Sequence, residues 1–133
     1  MRKKICRKQF EAGTGFAADV PVCFELKIDI NSITASSGQE FELRLRESAV
    51  LRYADRVLSL DLTECGAGRE RKEIHLTEVH DLWILSDTSS LEIFVNGGEE
   101  VFTSRIFDSL GGLKVMLTSR QCGGQMELYA LTI

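Results

Sequence analysis

The stretch LWILSDTSSLEIFVNGGEEVFTSRIF, residues 82–107, decides the fold. Residues 82–85 are a short apolar run, and Asp87, Thr88, Ser89 and Ser90 are a cluster of turn formers. Residues 91–96 and 101–107 are rich in β-branched and aromatic side chains, the composition of strands. Between them lies Asn96-Gly97-Gly98-Glu99, whose glycines supply the positive φ that a primed hairpin turn demands. The stretch therefore reads as a strand, a tight corner and a β-hairpin with Gly97 and Gly98 as its loop residues.

That register pairs Phe94 with Val101, Ile93 with Phe102, Glu92 with Thr103 and Leu91 with Ser104. Strand side chains alternate between faces. Leu91, Ile93, Val95, Phe102 and Ile106 then form an apolar core face. Glu92, Phe94, Val101, Thr103 and Arg105 form a mixed face, on which Glu92 and Arg105 are expected to make a cross-strand ion pair. The half-apolar second face suggests a hairpin in mid-sheet, covered on both sides. Asp87 is expected to cap the corner by accepting backbone N–H groups.

The segment Asp87-Thr88-Ser89-Ser90-Leu91-Glu92-Ile93-Phe94-Val95-Asn96, with Gly98-Glu99, Val101 and residues 103–107 (TSRIF), closely resembles the C-terminal β-sandwich of glycoside hydrolase family 32. That family holds invertases, sucrose-6-phosphate hydrolases, levanases and inulinases. Its pattern runs roughly D-x-S-S-x-E-I-F-V-N-D-G-E-x-V-x-T-S-R. Gly97 stands where Asp is usual, a change the turn accepts. The likeness is dense over about twenty residues, and looser over the flanking strands.

Outward from this stretch the pattern stays β. Phe24, Leu26, Ile28 and Ile30 alternate with Glu25, Lys27 and Asp29, and Phe41, Leu43 and Leu45 with Glu42, Arg44 and Arg46. Residues 49–54 and 57–62 read as two strands joined near Asp55-Arg56. Residues 73–76, 113–118 and 126–133 are further strands, and 77–80 a single helical turn. Short strands at regular spacing, without a sustained helical period, predict an all-β fold: a two-sheet antiparallel β-sandwich. The resemblance adds a concanavalin- or lectin-like jelly-roll form.

Residues 1–20 show no sustained periodicity and read as a basic lead-in or linker remnant, with residues 21–133 as the sandwich domain. Five of the first eight residues are Arg or Lys, which leaves 11 basic and 20 acidic residues in the rest. This acidic body argues against a nucleic-acid partner. No apolar run approaches the ~20 residues of a membrane span, and the basic start lacks the apolar stretch of a secretory signal. Cys6, Cys23, Cys65 and Cys122 are too scattered for a metal site. They read as free thiols of a cytoplasmic protein.

Retaining glycosidases need two carboxylates about 5–5.5 Å apart. In family 32 the nucleophile sits in an N-D-P motif and the acid in an E-C motif, with a transition-state stabiliser in R-D-P, all in a β-propeller that precedes the sandwich. The present sequence has neither N-D-P nor R-D-P, and its Glu64-Cys65 is an isolated dipeptide in a loop. The resemblance thus implies no catalytic, cofactor-binding or metal-binding residue here. It implies a non-catalytic module that packs on a catalytic β-propeller. Asp87, Ser89, Ser90, Glu92, Phe94, Asn96, Gly98, Val101, Thr103 and Arg105 would supply the structural motif and an inter-domain face. A homo-oligomer is a further expectation. The alternative is a lectin-like module binding a fructoside or other carbohydrate, for which Phe94, Trp83 and Tyr53 are the aromatic candidates.

Overall fold

The structure, a computed structural model, describes residues 2–11, 13–30, 40–46, 49–62, 71–105, 114–119 and 123–131. The strands are β1 (Arg2–Phe10), β2 (Gly15–Asp19), β3 (Phe24–Ile30), β4 (Phe41–Leu45), β5 (Ala49–Ala54), β6 (Val57–Asp61), β7 (Arg71–His75), β8 (Asp81–Ser86), β9 (Ser90–Val95), β10 (Glu100–Arg105), β11 (Lys114–Ser119) and β12 (Gly124–Leu131). They form two six-stranded sheets, one in the order β1-β12-β3-β8-β9-β10 and the other β2-β11-β4-β5-β6-β7. Every pairing is antiparallel.

The core follows from the alternation. The first sheet turns Leu26, Ile28, Leu82, Ile84, Leu91, Ile93, Val95, Met126 and Leu128 inward. The second contributes Leu43, Leu45, Leu51, Tyr53, Leu58, Leu60, Val115 and Leu117. Each fully buried aliphatic side chain stabilises the sandwich by roughly 1.5–3 kcal/mol. Tyr53 therefore belongs to the core, with its hydroxyl donating to the Leu76 carbonyl.

The hairpin has the expected register: Phe94 faces Val101, Ile93 faces Phe102, Glu92 faces Thr103 and Leu91 faces Ser104. Its turn has φ of 53° at Asn96, 69° at Gly97 and 92° at Gly98. Asn96 tolerates that region, and the two glycines occupy it without a Cβ penalty. The β5–β6 hairpin turns in the same way, with φ of 52° and 62° at Asp55 and Arg56.

Three expectations are corrected. The first twenty residues are not a lead-in, because β1 lies along β12 in one sheet and β2 along β11 in the other. As an edge strand of mostly charged residues, with a register shift between Lys4 and Cys6, β1 has no clean alternation to betray it. Residues 77–80 form no helical turn. The hairpin's mixed face is not covered by the second sheet: β10 is an edge, and the apolar face of the hairpin already occupies the core. Ile106, Phe107, Glu64, Cys65 and Cys122 lie outside the described residues.

Candidate interdomain face

The corner between β8 and β9 is built by a side chain from the other sheet. Arg46 follows β4 and has φ of 54°, which ends the strand and turns the side chain inward until it is only 1% exposed. Its Nη1 donates to Ser86 Oγ at 3.4 Å and to the Asp87 carbonyl at 2.5 Å, and its Nη2 to the Thr88 carbonyl at 3.0 Å. The guanidinium thus satisfies carbonyls that a tight corner leaves without strand partners. The Asp87 N–H donates to the Ser90 carbonyl at 2.9 Å and closes the turn.

Asp87 Oδ1 accepts the Thr88 N–H at 2.7 Å and the Cys23 thiol at 3.4 Å. The Thr88 N–H, then the thiol, hold the Asp87 carboxyl below its ordinary range. Burial, and then the hydrogen bond to that carboxylate, push the Cys23 thiol up, away from a reactive thiolate. Cys6 and Cys23 are free. Ser89 is exposed at the apex of the corner.

Asn96 does similar work at the other end of β9. Its Oδ1 accepts the His80 N–H at 2.7 Å, and its Nδ2 donates to the Glu78 carbonyl at 3.0 Å. The Gly97 N–H donates to Asp81 Oδ1 at 2.9 Å, and Gly98 completes the turn. Asp87 and Asn96 therefore anchor the two ends of one strand.

The remaining motif residues lie on the outward face of the first sheet. Strand pairing sets Lys27, Trp83, Phe94 and Val101 side by side across β3, β8, β9 and β10. Trp83 is 40% exposed and Val101 48%, and the Trp83 and Phe94 rings lie 5.0 Å apart. Among the described residues, Trp83 and Phe94 are a ring pair on that face, flanked by Lys27 and Val101. The next rung carries Glu25, Leu85, Glu92 and Thr103. Among the described residues no ion pair joins Glu92 to Arg105, which instead faces Ser90. Both side chains reach water, where a pair would return only ~0–1 kcal/mol. Asp87, Ser90 and Glu92 do converge, with Cys23 and Leu85, around a depression of about 300 Å³.

Glu25 is the residue that sequence reasoning missed here. Alternation puts it on the solvent side, yet it is 5% exposed. One carboxylate oxygen accepts Arg2 Nη1 at 3.0 Å, and the other accepts Trp83 Nε1 at 2.6 Å. Arg2 also covers the Tyr129 ring, 4.2 Å from its centroid, while the Tyr129 hydroxyl donates to Glu127. The indole is thus fixed in orientation while its ring stays open. The only hint in the sequence was a basic residue in a stretch read as lead-in. Among the described residues no group of three or more His, Cys, Asp or Glu could hold a metal ion. Nor is any helix there long and apolar enough to cross a membrane.

A two-sheet antiparallel sandwich with an oriented aromatic rung on one outer face defines an all-β sandwich module. Residues 3–133 match the family model described as Glycosyl hydrolases family 32 C terminal, and the chain belongs to that family. It is 38% identical over 120 residues to the sucrose-6-phosphate hydrolase of Staphylococcus xylosus, covering 81% of this chain and 24% of that protein. It is 41% identical over 85 residues to a probable sucrose-6-phosphate hydrolase of Vibrio cholerae, covering 57% of this chain and 16% of that one. The chain thus spans at most about a quarter of these relatives.

Among solved structures, the sucrose-6-phosphate hydrolase of Lactobacillus gasseri superposes with a TM-score of 0.74 at 22% identity, over 97% of this chain and 28% of that one. Exo-inulinase from Aspergillus awamori gives 0.75 at 20% identity, over 98% and 29%. Sheep galectin-11 gives 0.62 at 15% identity, over 88% of this chain and 97% of the galectin. These establish a shared all-β sandwich fold.

Proposed function

We propose that this chain is the non-catalytic sandwich module of a cytoplasmic β-fructofuranosidase acting on sucrose or sucrose 6-phosphate, and that it packs on the enzyme's catalytic β-propeller. The observation that carries this reading is the Trp83–Phe94–Val101 rung. The indole nitrogen serves Glu25, but the ring is left 40% exposed, outside the core of the sandwich. Such a ring in a mixed polar surround has the composition of an interface anchor. The likeness to sucrose-6-phosphate hydrolases supports the choice of partner and substrate.

The test has two arms. The pure chain should not hydrolyse sucrose or sucrose 6-phosphate above background; turnover abolished by Glu64→Gln would overturn the non-catalytic reading. The chain should associate with the isolated propeller of a sucrose-6-phosphate hydrolase and raise its melting temperature. Trp83→Ala should weaken that association by about 2 kcal/mol, the scale of an interface hot spot. Association unaffected by Trp83→Ala would place the contact elsewhere. A second reading, carbohydrate binding by a lectin-like module, is compatible with the first, because docking through the first sheet leaves the outer face of the second open.

A further inference from the structure

We infer that the outer face of the second sheet carries a weak binding site for a neutral saccharide, formed by Glu42, Arg44 and Arg52 with Thr118, Met116 and Val50. This rests on the carbohydrate-binding reading and is independent of docking. Strand pairing across β11, β4 and β5 arranges these side chains in two rungs. One is polar, Thr118–Glu42–Arg52, and the other is Met116–Arg44–Val50. Met116 is 41% exposed.

The polar rung is cross-linked without being buried. Glu42 Oε1 accepts from Arg52 Nε at 3.2 Å and also from Arg52 Nη2, while Arg44 Nε lies 3.6 Å from Glu42 Oε2. One carboxylate therefore orients two half-exposed guanidiniums. Among the described residues no hydrogen bond or ion pair takes up Arg52 Nη1, the amino groups of Arg44, the Thr118 hydroxyl or the remaining lone pairs of Glu42, which can serve a ligand. A guanidinium carries five donors in a fixed fork, and a carboxylate only acceptors. Together they offer donors and acceptors side by side, which is what vicinal hydroxyls of a sugar ring require. Met116 and Val50, on either side of Arg44, offer apolar surface to the ring's C–H face.

Glu40, Phe41, Glu42, Arg52 and Thr118 enclose a depression of about 290 Å³, near the low end of the range for small-molecule sites. Glu42 lies against both Arg44 and Arg52, and the Asp61 carboxylate also acts on Arg52, so no positive charge stands alone there. An anion such as phosphate therefore finds no net attraction, and a neutral polyol loses nothing to repulsion.

The 133-residue chain, labelled with ¹⁵N, is titrated with sucrose, with an inulin-type oligosaccharide and with inorganic phosphate, and its amide spectrum is followed. Saccharide binding is expected with a Kd of about 1 mM, as suits a shallow site. The shifts should be confined to residues 41–45, 49–53 and 115–119. Arg52→Ala should weaken binding about tenfold, the loss of hydrogen bonds to one charged group. Met116→Ala should act in the same direction, and Trp83→Ala should change nothing. Should Arg52→Ala lose its fold, Met116→Ala and Thr118→Val decide the matter. The inference is overturned by absence of saccharide shifts, by phosphate competing for the site, by affinity that survives the substitutions, or by shifts centred on Trp83. Each of those outcomes leaves the propeller-docking test standing.

Discussion

Arg46 is the most demanding test of this fold, because one side chain from the second sheet holds a corner of the first. Its guanidinium makes two hydrogen bonds to backbone carbonyls, those of Asp87 and Thr88, and a longer one to Ser86 Oγ. Hydrogen bonds to a charged group are worth about 1.5–3 kcal/mol each. The corner itself is exposed, so water can reach the abandoned carbonyls, and the low end applies. Removing the charge also relieves its desolvation, while the void left in the core costs more. These opposed corrections leave Arg46→Ala destabilising by about 3 kcal/mol. Arg46→Gly should be milder by about 1 kcal/mol, because φ of 54° penalises a Cβ. Urea melts followed by Trp83 fluorescence give both values, and hydrogen exchange at the Asp87 amide reports the corner directly. A loss below about 1 kcal/mol for Arg46→Ala, or an alanine variant more stable than the glycine one, would refute this account of the corner.

Glu25→Ala should cost about 1–3 kcal/mol through its two side-chain bonds, with altered Trp83 emission, and Glu25→Gln should retain part of both. Asp87 has a folded-state pKa below its unfolded value near about 4. Its contribution to stability is therefore complete above that unfolded value and is lost as pH falls through the lower folded one. Asp87→Asn should flatten the acid limb of a melting-temperature profile below about pH 4, and an unchanged limb would remove Asp87 from that transition. Glu92→Ala and Arg105→Ala should be additive within about 0.5 kcal/mol in a double-mutant cycle, and a larger coupling would show that the two side chains meet in solution.

The sequence made the hairpin legible because three signals agreed there: side-chain alternation, turn chemistry and strand composition. Asn96, Gly97 and Gly98 carry the positive φ that fixes the register. The stretches that misled share a physical cause. Arg46 continues the polar positions of β4, but a left-handed residue inverts its direction. Glu25 obeys alternation, yet the indole of Trp83 and the guanidinium of Arg2 close over it, and no local pattern announces partners so distant along the chain. At β1 an irregular edge strand made of cations lacks the apolar period by which strands are recognised. Of the expected interdomain face, Phe94 and Val101 join the exposed rung, whereas Asp87, Asn96 and Gly98 hold the backbone.

The pairing of β1 with β12 sets the order in which the sandwich can form. β12 lies between β1 and β3, so it supplies the partner for both. Until residues 124–131 have been synthesised, β1 has no neighbour on either side and β3 has only β8. A nascent chain leaving the ribosome therefore carries four of the six strands of the first sheet, with unpaired backbone groups along the β3 edge. That edge closes only through a contact between the two ends of the domain. High contact order of this kind slows folding and prolongs exposure to mispairing. The five cations of β1 keep the waiting strand soluble, and their mutual repulsion discourages it from pairing with a second copy of itself.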